Sequence, residues 1–216
     1  SITDGMFTNL KCGSVICIPL LNIFGFINFS RDVPDGKDVN RSFPGSMTGS
    51  LASRVARLIT KKILSLVDFG IDFHTGGRDH WNEPQLRFSP KSPESYDLAR
   101  QCEFPLLVEK AVVSKSLRKI AKDLKKPILV FEGGEALRLE NYIVTKGIQV
   151  MRNLLIKKGM LDGELKSLEH VKVFRKTIWE RSPEGGLLTY RRKAGEFVRK
   201  DELIAILNDP FGQKET

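Results

Sequence analysis

Asp72 and His74 stand two residues apart in the stretch Gly70-Ile71-Asp72-Phe73-His74-Thr75-Gly76-Gly77. A carboxylate beside an imidazole fixes the tautomer of the ring and suits it to metal binding or proton transfer. Ile71 and Phe73 alternate with the polar pair, so the stretch reads as a strand that shows both polar side chains to one cleft. The apolar run Ile63-Leu64-Ser65-Leu66-Val67 leads in, and Gly76-Gly77 ends it. A surface loop braced by an Asp/His hydrogen bond is the purely structural alternative.

A second strand, Pro127-Ile128-Leu129-Val130-Phe131, delivers Glu132 into a glycine turn, Gly133-Gly134. A partly buried carboxylate beside a metal can act as general base toward water. It could equally bond the amides of the two glycines. The third polar cluster is Arg31 with Asp38-Val39-Asn40-Arg41, in a long connection from Ser30 to Pro44 that turns at Pro34-Asp35-Gly36. An arginine with an asparagine suits a substrate carboxylate. A loop brace is the alternative. Long connections inside α/β domains carry function more often than decoration.

These groups need a sheet behind them. Ser14-Val15-Ile16-Cys17-Ile18-Pro19-Leu20-Leu21 reads as a strand buried on both faces, and Asn22 to Phe26 as the turn leaving it. Leu51, Val55, Leu58, Ile59, Ile63 and Leu66 recur at helical spacing, with Thr48 or Ser50 as cap. Arg78 to Pro93 reads as irregular, including His80-Trp81-Asn82-Glu83. Tyr96 to Cys102, Ser114 to Leu124 and Asn141 to Lys157 read as helices. After Gly163 the texture changes to short strands near Val171, Gly185 and Leu203, separated by close turns. The expected fold is α/β: a mostly parallel or mixed sheet flanked by helices over residues 1–163, and a small β-domain over 164–216. In open α/β sheets the ligand crevice lies at the carboxyl ends of strands, where His74 and Glu132 would meet.

The chain has 216 residues, 41% hydrophobic and 28% charged, as globular proteins do. No apolar run approaches the roughly 18 residues of a membrane span. The first residues carry no basic start or apolar core of a signal peptide. Three cysteines without a C-x-x-C pattern point to reduced thiols and a cytoplasmic setting. The net charge of +9 is scattered and accompanies no nucleic-acid motif. It suits small acidic substrates better.

Taken together, Asp38-Val39-Asn40-Arg41-Ser42-Phe43-Pro44-Gly45, then Asp72-Phe73-His74-Thr75, then Phe131-Glu132-Gly133-Gly134 resembles the succinylglutamate desuccinylase/aspartoacylase family of zinc hydrolases. The resemblance implies a carboxypeptidase-like α/β fold and cleavage of the amide bond of an N-acyl amino acid. It implies that His74 is a zinc ligand and that Glu132 activates water and later protonates the leaving amine. Arg31 would polarise the scissile carbonyl, and Asn40 and Arg41 would bind the substrate carboxylate. Asp72 would orient His74. The family pattern also places an H-x-x-E zinc pair ahead of the Pro19 region. This sequence begins beyond that point, so two further ligands are expected outside it. His80 and Glu83 have the same spacing but the wrong position in the order. A binding protein that keeps the fold without the metal is the alternative, and a homo-oligomer is left open.

Overall fold

A computed structural model describes residues 5–77, 80–165, 168 and 170–211. Strands β1 (Gly70–His74), β2 (Asn82–Phe88), β3 (Leu106–Glu109), β4 (Ile128–Gly134) and β5 (Lys172–Phe174) form one sheet in the order β1-β4-β2-β3-β5. β1 with β4, β2 with β3 and β3 with β5 run parallel, while β2 runs antiparallel to β4. The helices are α1 (Ile23–Asn28), α2 (Leu51–Leu58), α3 (Pro93–Gln101), α4 (Leu117–Asp123) and α5 (Asn141–Lys157). α2 runs on through a wider turn at Ile59–Ile63. Ser50, Ser92 and Ser116 cap α2, α3 and α4, each accepting from a backbone N–H three residues on.

Strand alternation divides the sheet into two unlike faces. Leu86, Phe88, Leu107, Leu129 and Phe131 bury one face against Leu98, Ala99 and Cys102 of α3 and Val150 and Leu154 of α5. On the other face, Ile128 packs on Leu64 and on Ala121 of α4. Further along that face the side chains turn polar, through Asp72, His74, Glu132, Gln85 and Arg87. A third cluster, Val33, Val39 and Phe43 with Ala52, Ala56 and Ile59, pins the long connection onto α2. Strands β6 (Leu187–Tyr190) and β7 (Ala205–Asn208) make a separate antiparallel ribbon. The expected α/β sheet and a small antiparallel ribbon are therefore present, but the strand expected near Val171 in the C-terminal unit joins the main sheet as β5.

Four local expectations are corrected. Ser14 to Leu21 joins no ladder among the described residues, and Ile16 and Ile18 are each 43% exposed. Branched side chains record fitness for a pleated, half-buried surface, and that fitness needs a neighbouring strand to act. Asn22 to Phe26 is a helix start rather than a turn. The Asn22 side chain accepts from the Gly25 N–H and opens α1. The segment from Arg78 to Pro93 is not irregular throughout: Arg78 itself lies outside the described residues, but Asn82–Phe88 is a central strand. Pro84 fits there because the pairing with β4 shifts register between Asn82 and Gln85, where no ladder donor is needed. Lastly, Gly133 and Gly134 extend β4 instead of ending it.

Gly76 shows why the chain after β1 must be bare. Its N–H donates to the Gly134 carbonyl at 3.0 Å. A Cβ there would lie 1.8 Å from the His80 carbonyl oxygen and 2.8 Å from that of Gly134. Only glycine admits so close an approach of backbone to backbone.

Candidate active site

His74 and Glu132 are in-register partners on the adjacent parallel strands β1 and β4. Strand parity therefore puts both side chains on the polar face, together with Asp72 two residues before His74. The His74 Nε2 lies 2.9 Å from Asp72 Oδ2. Burial works to lower the imidazole pKa. The Asp72 hydrogen bond and charge, with Glu132 behind them, outweigh burial and the opposing charge of Arg31, and the net shift is upward. An imidazole engaged by a carboxylate at Nε2 leaves Nδ1 as its second donor or acceptor.

Glu132 is held from β2. The Asn82 side-chain amide donates to its Oε1 at 2.6 Å, and Arg87 Nη1 approaches its Oε2 at 2.5 Å. Arg87 Nε donates in turn to Gln85 Oε1 at 3.2 Å. The carboxylate is 12% exposed, so it is fixed from two sides yet open to a small molecule. Arg118 of α4 is buried near enough for the charges of Arg87, Glu132 and Asp72 to act on it.

The remaining expected residues gather around Asp38. Arg31 Nε donates to Asp38 Oδ2 at 2.7 Å, and the Asn40 N–H donates to Asp38 Oδ1 at 2.7 Å. Arg41 Nη1 donates to the Asn40 carbonyl at 2.7 Å. Asn40 Oδ1 accepts from the Leu117 N–H at 2.8 Å and so caps α4. The structure thus gives Asn40 a bracing bond. The Arg31 side chain is 58% exposed, with its charge felt at His74.

His80 and Glu83 do not form a pair. The His80 ring meets Trp179 edge-on at 6.1 Å, whereas Glu83 accepts from the Tyr142 hydroxyl at 3.0 Å. Trp81 Nε1 donates to both Glu140 oxygens, at 3.0 and 3.1 Å, and ties the start of β2 to the start of α5.

A catalytic zinc ion takes about three protein ligands and leaves a fourth position open. His74 fits one such position: its ring is partly exposed and a carboxylate orients it, as metal-binding imidazoles require. Among the described residues, no group of three His, Cys, Asp or Glu side chains is placed to hold an ion. The described residues thus offer one candidate ligand, not a complete site. A cavity of about 780 Å³ is lined by residues of the C-terminal segment, from Arg192 to Glu202, and by none of the site residues.

Sequence reasoning missed Asn82, Arg87 and Arg118. The signal for the first two was present: Glu83, Gln85 and Arg87 alternate with Pro84, Leu86 and Phe88, and that alternation is a strand pattern. The proline and the polar start hid it. Nothing local marks Arg118, which sits on a short helix rich in surface cations.

Known proteins are similar to this chain in sequence and in fold. The family model for the succinylglutamate desuccinylase/aspartoacylase catalytic domain matches residues 8–157. The N-alpha-acetyl-L-2,4-diaminobutyric acid deacetylase of Halomonas elongata is 26% identical over 219 residues, covering 91% of this chain and 61% of the relative. The chain thus spans less than two thirds of that relative's length. The product-bound ectoine utilization protein of Ruegeria pomeroyi superposes with a TM-score of 0.80 at 23% identity, over 96% of this chain and 67% of that one. A succinylglutamate desuccinylase from Silicibacter sp. TM1040 gives 0.80 at 22% identity, over 92% and 64%. At these identities the superpositions speak for the fold, and the family match speaks for kinship. With the order Asp38-to-Gly45, Asp72-to-Thr75 and Phe131-to-Gly134 intact across that match, the chain belongs to the succinylglutamate desuccinylase/aspartoacylase family.

Proposed function

We propose that this chain carries the catalytic groups of a zinc-dependent deacylase that hydrolyses the amide bond of an N-acyl amino acid or a similar small acidic compound. The observation that carries this reading is the in-register pairing of His74 and Glu132 on one polar face. Kinship with a deacetylase of an acetylated diamino acid supports the substrate class.

Glu132 takes a proton from the attacking water as its oxygen adds to the amide carbonyl carbon. The same carboxyl then gives the proton to the leaving nitrogen as the C–N bond breaks. Asn82 and Arg87 hold the carboxylate in place through both half-reactions. His74 offers an imidazole to the ion, oriented by Asp72. Zinc, when bound, supplies the Lewis acid that polarises water and carbonyl. Arg31 faces the carbonyl oxygen as charge develops on it, and Arg41 with Asn40 receives the substrate carboxylate. The net charge of +9 draws such anions in. The three free cysteines suit a cytoplasmic setting.

The test is Glu132→Gln in the whole gene product, assayed on a panel of N-acetyl and N-succinyl amino acids. The variant keeps its fold and metal content and loses at least about a hundredfold in turnover, the scale of general-base loss. Hydrolysis at the wild-type rate would remove Glu132 from the mechanism.

A further inference from the structure

A second cavity, of about 250 Å³, opens where β4 begins, at Pro127 and Ile128, and where β2 has just ended, at Ser89. The register of β1 with β4 puts this at the opposite end of the sheet from His74 and Glu132. Its lining includes Lys91, Arg118, Lys122, Lys125 and Lys126, against one carboxylate, Glu94. That carboxylate already accepts from the Ser92 hydroxyl at 3.2 Å.

Arg118 is the telling residue. It is 9% exposed, yet it makes no salt bridge among the described residues. Among the described residues its guanidinium donates to backbone carbonyls alone, those of Ala111 at 2.8 Å and Phe88 at 3.5 Å. Nearby carboxylates are spoken for: Glu132 by Arg87, and Asp72 by His74. Burial and the like charge of Arg87 push its pKa down to about 10, so it remains a cation at neutral pH. Buried charges are normally paired; Glu132 and Asp72 act on this one only from a distance, and no carboxylate among the described residues pairs with it directly.

The lysines around it are arranged to receive a counter-charge. Lys122 Nζ is fixed by the Pro90 carbonyl and Lys126 Nζ by the Val67 carbonyl, both at 2.6 Å. Neutral carbonyls steady these ammonium groups without cancelling their charge. Lys91 and Lys125 are exposed and make no ion pair among the described residues. The nine-residue helix α3 starts at Pro93, beside Ser92 of the lining, and adds its positive end. The volume lies below the roughly 300–1,000 Å³ of sites for drug-sized ligands, which limits the occupant to a small anion.

We propose that this cavity is a second binding site, distinct from the His74–Glu132 cleft, for a small tetrahedral dianion of the phosphate or sulfate class, free or as a small monoester. Its occupant is the counter-ion of Arg118. The proposal does not rest on the hydrolase reading.

The experiment is calorimetric titration of inorganic phosphate and, separately, glycerol phosphate into the wild-type chain, a Lys91→Gln/Lys125→Gln variant and an Arg31→Gln variant. The expected result is saturable binding of one phosphate per chain. It weakens by about tenfold in the double lysine variant, as loss of two partly solvated ion pairs implies, and persists in the Arg31 variant. Equal binding of the monoester shows that the phosphate group alone is recognised. Tighter binding of the monoester makes the ester the occupant. Absence of saturable binding at millimolar phosphate overturns the proposal. So does binding that survives the lysine changes and disappears with Arg31→Gln, because the anion would then sit in the hydrolytic cleft.

Discussion

Arg87 on β2 meets Glu132 on β4 at 2.5 Å across the antiparallel pair of strands at the heart of the sheet. Removing one partner of a well-shielded ion pair costs about 3–5 kcal/mol when burial is complete. Arg87 is 25% exposed, so Arg87→Gln is expected to cost less, about 1–3 kcal/mol by urea unfolding. The Arg87→Gln/Glu132→Gln double variant loses less than the sum of the singles, since neither change then strands a charge. Strict additivity would mean that the two groups do not interact.

Asp72 sets the ionisation of His74. The pKa of this imidazole lies above the usual histidine value in the metal-free protein, so protonating it favours the folded state. That contribution is fully present below the unfolded value of about 6.5 and fades as pH rises through the folded value. Asp72→Asn removes the charge that raises the pKa, and the His74 ring resonances then titrate at lower pH in an NMR series. An unmoved midpoint would show that Asp72 does not govern His74.

Asn40 can be tested for two jobs at once. As the side chain capping Leu117 N–H, it contributes about 0.5–2 kcal/mol, which Asn40→Ala forfeits. Asn40→Asp keeps the acceptor and is expected to unfold at nearly the wild-type urea concentration. If Asn40 also meets the substrate carboxylate, the aspartate repels it and KM rises while stability holds. A KM unchanged in Asn40→Asp confines the residue to bracing.

Gly76→Ala forces a methyl group into the His80 carbonyl, 1.8 Å from its ideal position. Relief requires the loop to part from Gly134, and the expected loss is on the order of 3 kcal/mol. Thermal unfolding within a degree of wild type would show that this crossing is loose.

The sequence displayed the parts of the fold whose pattern is local. α5 matches its expected bounds at both ends, because apolar spacing and a terminal glycine coincide there. β1 and the body of β4 were legible from apolar runs next to polar ends. β2 was not, because Pro84 argues against a central strand until the bulge beside it is seen. β3, only four residues long, offers too few positions for a period to register. Ser14 to Leu21 misled for the converse reason, since composition cannot report whether a neighbouring strand is there. For the site, His74 and Glu132 announce themselves by glycine-flanked contrast with their apolar surroundings. Arg87 and Arg118 matter only through partners distant in sequence, and such partnerships leave no mark on a single chain.

The indole of Trp81 is anchored on Glu140, and the next residue, Asn82, grips the Glu132 carboxylate. The chain has two tryptophans, and the other, Trp179, is 74% exposed to solvent. Its emission is therefore already that of a water-bathed ring, whereas the colour of Trp81 depends on a neighbourhood that a guest would rearrange. The molecule thus comes with an optical gauge built in, and filling of the cleft can be followed by ultraviolet light without attaching a dye.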